Sequence, residues 1–335
     1  MPAFRIEPFA GRALLDIGSF GRAGSGRRDR LSPEQIAQIA RTVNRTPEVM
    51  VKVLTRNSSG LSSVAQHFDY IGRDGELEIE TDDGEQVSGK RIGRALINDW
   101  NLELEQHRRT NELTAGKGRK PAKLVHKLMF SMPAGTPPSA VLKATRTLLR
   151  EEFGLKHRYA FVLHTDEPHP HVHAVVKAVS EQGERLHIRK ATLRRWRAEF
   201  ARHLREHGVA ANATERAVRG QVVEAKVDPI YRTTKDPERE STHVRAMVQD
   251  VAAAMVNRST GHSGSTGTLR STRRAVRDGW HAIARLLDQQ GQLPLASAVR
   301  QFVQSMPPPL TERERIEAQL RAHLRERVRD RERTR

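Results

Sequence analysis

Apolar residues along the chain recur with two periods, about 3.6 and 2 residues, and the switches between them mark the elements. Ser32, Pro33 and Gln35 predict a capped helix running to about Val43, because serine and glutamine satisfy each other's backbone N–H and proline suits the first turn. Pro47 then precedes EVMVKVLTR, a β-branched run that reads as a buried strand. In SSVAQHFDYI, Val64, Phe68 and Ile71 fall at helical spacing, with Ser62 or Ser63 as the expected cap. ELEIET alternates like a strand between turns at Asp74-Gly75 and Asp83-Gly84. Residues 88–122 are polar and basic and predict a helix around Ala95–His107 followed by a Gly/Lys loop.

LVHKLMFSMP predicts the next strand, closed by Pro133. Thr136 to Phe153 follows as a helix, with Pro137 and Pro138 in its first turn and Gly154 as its stop. RYAFVLHT and HVHAVVKAV are two strong strands joined through DEPHP, a link so short that they must be antiparallel neighbours. LRRWRAEFARHLREHG is an amphipathic helix ending at Gly208. Beyond Gly220 the pattern loosens into short helices, VRAMVQDVAAAMV, RRAVRDGWHAIARLLDQ and ASAVRQFVQSM, with STGHSGSTGT as a flexible linker. The last stretch sets Ile316, Leu320, Leu324 and Val328 on one stripe among charges, a solvated helix able to dock or pair. Residues 1–30 are rich in Gly, Ser and Arg without periodicity and read as a mobile basic arm.

Composition narrows the function classes. Only 37% of the 335 residues are hydrophobic, so a core is expected over part of the chain only. Lys and Arg number 58 against 40 Asp and Glu, and a net charge of +18 favours a polyanionic partner, nucleic acid first. The absence of cysteine excludes disulfides, thiolate zinc sites and cysteine nucleophiles. No apolar run approaches the ~20 residues of a membrane span, and MPAFRIEPFAGRALL carries no secretion pattern. A bacterial cytoplasmic protein is the expectation.

The chemistry concentrates in HTDEPHPHVH, residues 164–173. His171 and His173 share one face of a strand, Val172 points the other way, and His164 ends the antiparallel neighbour, where it can face the same space. Three imidazoles on rigid strands make a half-closed coordination site with positions left for water or a phosphate oxygen. The bland alternative, surface histidines on a hairpin, fits poorly with four histidines in ten residues interleaved with an aspartate and two prolines. Asp166 can orient a ligand imidazole or accept a proton; His169 has the parity of His171, but the flanking prolines leave its role open.

Of three tyrosines, Tyr159 begins a strand and is expected in the core, Tyr231 lies in a polar stretch, and Tyr70 ends a short helix beside a turn, an exposed and positioned setting. A phenol of ordinary pKa ~10 needs a metal or base nearby to attack phosphorus, and packing is the commoner role of a tyrosine. The pattern alone does not choose.

HTDEPHPHVHAVVKA resembles the third motif of conjugative relaxases of the plasmid-mobilisation and T-DNA border-nicking type, in the HUH endonuclease superfamily. FDYIGRDGELEIE is similar to their first motif, a tyrosine before a basic residue and a glycine turn, and HKLMFSMPAGT to their second. ATERAVRG looks like the segment that closes the domain, and order and spacing agree over roughly residues 47–220. Pro168 is a departure, where relatives often carry an acidic or polar residue.

The resemblance implies an α+β fold, a central antiparallel sheet flanked by helices, with a helical C-terminal extension. The resemblance does not cover the chain before 47 or after 220; with the pattern along the chain, the expected division is a flexible basic arm at 1–30, a nuclease domain at 31–220 and a charged helical region at 221–335. The resemblance implies Tyr70 as nucleophile, His164, His171 and His173 as ligands of Mg²⁺ or Mn²⁺, Asp166 as a catalytic acidic group and Ser131 as a DNA contact. The expected activity is nicking and rejoining one DNA strand at an origin of transfer through a 5′-phosphotyrosine. Expected partners are single-stranded and origin DNA, accessory DNA-binding proteins and a type IV secretion coupling protein. The competing readings are a rolling-circle initiator or single-strand transposase, and a non-catalytic metal-containing accessory protein that binds DNA.

Overall fold

The computed structural model describes residues 30–54, 59–113, 123–222, 242–257 and 264–333, together with a short strand pair, Arg5–Ile6 and Leu15–Asp16. Most of the expected basic arm, the Gly/Lys loop, Tyr231 and the start of the expected linker lie outside the described residues. The chain divides into two compact units: a sheet unit, Ile6–Leu14 with Asn44–Ala213, and a helical unit, Met1–Arg5, Leu15–Val43 and Thr214–Arg335.

The sheet unit is built on six antiparallel strands: β1 (Met50–Leu54), β2 (Ile79–Thr81), β3 (Gln86–Val87), β4 (Val125–Ser131), β5 (Tyr159–His164) and β6 (His171–Lys177). Their spatial order is β1-β4-β6-β5-β2-β3, so the two histidine-bearing strands are central neighbours, as the short DEPHP link requires. The fold is the expected α+β arrangement.

Strand parity divides the core in two. Leu128, Phe130, Tyr159, Phe161, Val172, Ala174 and Val176 face α5 (Pro138–Phe153) and α6 (Lys190–Glu206). On the opposite face, Val125, Ala160, Val162 and Val175 pack beneath α2 (Leu61–Ile71) and α3 (Ile92–Asp99). That second apolar layer ends at Val162 and Val175, and the next inward positions along the two strands are His164 and His173. The histidines therefore stand where the core gives way to the sheet's end.

Val64, Phe68 and Ile71 of α2 are fully buried, as their spacing predicts. The expected serine cap is absent: Gly60 is the N-cap, and Ser63 Oγ instead donates to the Gly60 carbonyl at 2.9 Å. The helix expected around Ala95–His107 is two helices, α3 and α4 (Leu102–Leu113). Trp100 breaks it by turning into the core, edge-on to Phe68 at 5.3 Å, and Asn101 takes the left-handed φ of 51° that the turn needs. α2 and α3 touch at Gly93, whose backbone N–H reaches Asp69 Oδ1 at 2.9 Å and where a Cβ would stand 2.2 Å from the Ala65 carbonyl oxygen.

In the helical unit, α1 (Pro33–Val43) has the predicted capping box: Ser32 N–H to Gln35 Oε1 at 2.8 Å and Gln35 N–H to Ser32 Oγ at 3.3 Å. By its contacts α1 groups with the C-terminal helices, whereas the sequence reading set it at the start of the nuclease domain; Leu31 exchanges hydrogen bonds with the Gln290 side chain. The C-terminal helices are α7 (Thr242–Val256), α8 (Gly264–Gln289), α9 (Leu293–Gln304) and α10 (Glu312–Arg333). α8 is 26 residues long and starts inside the segment read as a linker. Trp280 anchors it, edge-on to Phe302 at 5.4 Å and donating its indole N–H to the Val218 carbonyl at 2.9 Å.

Candidate metal and nucleophile site

The register of β5 and β6 sets His164 opposite His171 and Val162 opposite His173. Directly paired residues share a face, so the three imidazoles converge. Their ring centroids lie 4.8–5.2 Å apart, and one nitrogen from each falls within 4.8 Å of the others. All three are buried.

Backbone carbonyls orient two of the rings. His164 donates Nε2–H to the Ile71 carbonyl at 2.7 Å, and His171 donates Nδ1–H to the His169 carbonyl at 3.0 Å. A carbonyl can only accept, so the lone pairs remain on Nδ1 of His164 and Nε2 of His171. Nδ1 of His173 is buried without a hydrogen-bond partner. Burial first, then the positive surroundings of His164, His171, His67 and Arg73, pushes His173 down to about 3. His164 is lowered as well, chiefly by burial. His173 and His164 are thus held in the neutral, ligating form, and a buried nitrogen with no partner fits a metal ion.

Tyr70 closes α2 and is 58% exposed, with its ring 6.5 Å from the His173 ring. Tyr159 sits on the opposite sheet face, in the core beneath α5 and α6. Of the two tyrosines described, Tyr70 alone shares the histidines' face.

Two further residues join the site that sequence reasoning did not name. Arg73 lies over the Tyr70 ring at 5.2 Å, donates to the Tyr70 carbonyl at 3.4 Å, approaches His164 Nδ1 at 3.2 Å and is ion-paired with Asp166. Its backbone is left-handed, φ 51°, followed by Asp74 at 54° and Gly75 at 100°. His67, one helical turn before Tyr70, stacks on the tyrosine at 6.3 Å and meets His173 edge-on at 6.2 Å. The i−3 spacing of His67 was a readable signal; the strained turn that aims Arg73 was not.

Asp166 is half-exposed, and its ion pair is with Arg73. Desolvation is the largest single influence and raises its carboxyl, but the hydrogen bond and charge of Arg73, with its own backbone N–H and His164, together outweigh it and lower the group. Ser131 ends β4 opposite His171 in register; it is buried, with its hydroxyl 3.4 Å from the Met132 carbonyl. His169 is exposed and contributes its carbonyl. A second His/Glu group, Glu151, Glu199 and His203, lies between α5 and α6. Arg202 pairs with both glutamates and with Glu206, and His203 faces Glu151 and Glu206, which makes this a network of ion pairs and hydrogen bonds between the two helices.

Residues 70–209 match the family described as Relaxase: MobA/VirD2-like, nuclease domain. The family resemblance read from the three motifs stands. The matched span begins at Tyr70 and includes all three histidines. The T-DNA border endonuclease VirD2 of Rhizobium radiobacter is 30% identical over 178 residues, 48% of this chain and 40% of that protein. VirD2 of Agrobacterium fabrum is 28% identical over 174 residues, 48% and 38% of the two chains. VirD2 of Rhizobium rhizogenes is 26% identical over 199 residues, 55% and 44%. The chain thus spans about two-fifths of the length of these relaxase-like relatives.

Proposed function

We propose that this chain is a DNA strand transferase that nicks and rejoins one strand at an origin of transfer, starting the transfer or mobilisation of a plasmid or integrative element. The supporting observation is the pairing of an exposed tyrosine with three converging buried histidines, Tyr70 lying 6.5 Å from His173 ring to ring.

His164, His171 and His173 would hold a divalent ion, Mg²⁺ or Mn²⁺, which when bound polarises the scissile phosphate and offsets its charge in the transition state. Tyr70 Oη attacks phosphorus in line. The new Oη–P bond replaces the bond to the 3′ oxygen, the phenol gives up its proton, and the departing 3′ oxygen takes one up as a hydroxyl. One phosphodiester becomes another, so attack by that 3′-hydroxyl reverses the step and rejoins the strand. Arg73 holds the Tyr70 ring and carbonyl, and its charge faces the same space as the phosphate would. Asp166 serves through Arg73, by fixing the guanidinium. Ser131, at the end of β4 beside His171, is the proposed contact to the strand near the nick.

Beyond the family match, the C-terminal helices are proposed to engage accessory DNA-binding proteins and a secretion coupling protein in the bacterial cytoplasm. No helix among the described residues is long and apolar enough to cross a membrane.

The test is to incubate the protein with labelled single-stranded origin oligonucleotides and Mg²⁺ and look for a denaturant-resistant adduct. Tyr70→Phe loses the adduct and keeps DNA binding. An adduct that persists in this variant, or maps to Tyr159 or Tyr231, overturns the assignment and favours another nucleophile, whereas wild-type protein that binds DNA and forms no adduct at all favours a non-catalytic accessory role.

A further inference from the structure

The helical unit carries a second concentration of charge, on α8. Arg270, Arg274, Arg277 and His281 recur at i, i+4, i+7 and i+11, which places them on one stripe of the helix. With Arg273, Asp278 and Pro309 they line a concavity of about 370 Å³. Asp278 is the one acidic residue in that lining.

The arginines divide by role. Arg273 is buried and donates to the carbonyls of Gly220 and Pro307, tying α8 to the segments on either side of it in sequence. Arg270 leans toward Glu314 at 3.3 Å. Arg274 and Arg277 are exposed and have no acidic partner among the described residues. Like charges held at helical spacing without counter-charges repel each other and destabilise the helix. A solvated helix face ordinarily mixes signs. Arg273 feels the crowding: burial and the neighbouring charge of Arg277 both lower it.

The two guanidiniums without an acidic partner, Arg274 and Arg277, set in a concavity, are suited to phosphate, whose oxygens accept the paired N–H groups of arginine. The seven helical steps from Arg270 to Arg277 rise about 10 Å. That is roughly the axial rise of three phosphates of one B-DNA strand, at about 3.4 Å each. A small anion would need one arginine fork, and a run of this length suits a repeating one.

We propose that the Arg274–Arg277 face of α8 binds the sugar-phosphate backbone of DNA without regard to base sequence, as a DNA contact additional to the histidine–tyrosine site. It needs DNA as a partner but does not depend on Tyr70 chemistry.

The experiment uses the full chain and a labelled duplex of arbitrary sequence with no nick site. Fluorescence anisotropy is followed across a salt series. The double variant Arg274→Gln, Arg277→Gln is compared with wild type and with Arg325→Gln, Arg329→Gln, which removes the same charge from exposed positions of α10. Two lost phosphate contacts make the slope of log K against log salt shallower by about 2 and weaken binding roughly 30-fold at 0.15 M salt. The α10 pair retains the wild-type slope. Unchanged affinity and slope in the α8 pair, or an equal loss in the α10 pair, overturns the proposal; the first result would point to an acidic protein as the occupant. If the double variant loses its fold, Arg277→Gln alone is read in the same way, with a slope change of about 1. Adduct formation on a single-stranded oligonucleotide stays at the wild-type rate in the α8 variants, so failure of this contact and failure of the Tyr70 reading are separately visible.

Discussion

Gly93→Ala tests how closely the nucleophile's position depends on the packing of α2 against α3. Two effects oppose each other. Alanine is the better helix former, and at a strain-free position the change stabilises by up to about 1 kcal/mol. Here the added Cβ would stand 2.2 Å from the Ala65 carbonyl oxygen and 2.7 Å from its carbon. Contact normally begins near 3.2–3.5 Å, so the two helices must separate by about 1 Å, and overpacking of this kind costs about 1–3 kcal/mol. The clash wins, and the net effect is a destabilisation of about 1–2 kcal/mol. The separation also strains the bond from Gly93 N–H to Asp69, the residue immediately before Tyr70. A displacement of about 1 Å at a reacting group slows chemistry by as much as ~100-fold. Thermal denaturation reads the first effect, and single-turnover adduct formation at saturating DNA reads the second. A variant that melts at or above the wild-type temperature and reacts at the wild-type rate would refute the reasoning, because helix propensity alone would then have decided the outcome.

Other expectations follow from the same geometry. Tyr159→Phe, on the sheet face away from the histidines, leaves adduct formation unchanged, which the oligonucleotide assay checks directly. His171→Ala or His173→Ala removes a converging nitrogen and weakens Mn²⁺ binding by calorimetry at least ~10-fold while far-UV circular dichroism stays wild-type. Arg73→Ala disperses the contacts to Tyr70, His164 and Asp166 and slows adduct formation about 10–100-fold with a stability loss of no more than about 1 kcal/mol, since its ion pair is with a half-exposed partner. The metal-free protein loses stability as pH falls from about 6.5 toward 3. His67 and His173 are pushed down to about 3, and His126 to about 4, mainly by burial, so only the unfolded chain takes up their protons in that window. Melting temperature against pH reads this, and His126→Asn should flatten part of the slope.

The elements that position the site were legible because they depend on local rules. The two strands around DEPHP, the parity of His171 and His173, and the Ser32–Gln35 cap all follow from short-range geometry, and the structure has each of them. What escaped depended on distant packing. Trp100 breaks the helix read at Ala95–His107 because its indole finds Phe68, a partner thirty-two residues earlier in the sequence. Arg73 reaches His164 and Asp166 only because three successive residues take positive φ, and two of them are not glycine. Asp166 was read as serving a ligand or a proton directly; its direct partner is this arginine. α1 showed its cap in the sequence but not which core it would join, since an amphipathic stripe does not specify its partner.

β6 serves two purposes with alternate residues. Val172, Ala174 and Val176 knit the hydrophobic interior, while His171 and His173 point from the same backbone into the space they share with His164. Coordination geometry and structural cohesion are therefore fastened to one ribbon of main chain. A one-residue slip of that ribbon would exchange valine for imidazole on both faces at once. Loosening by heat or by a nearby cavity should dissolve binding of the ion and integrity of the domain together, leaving little room for a form that is well folded yet has a disordered centre.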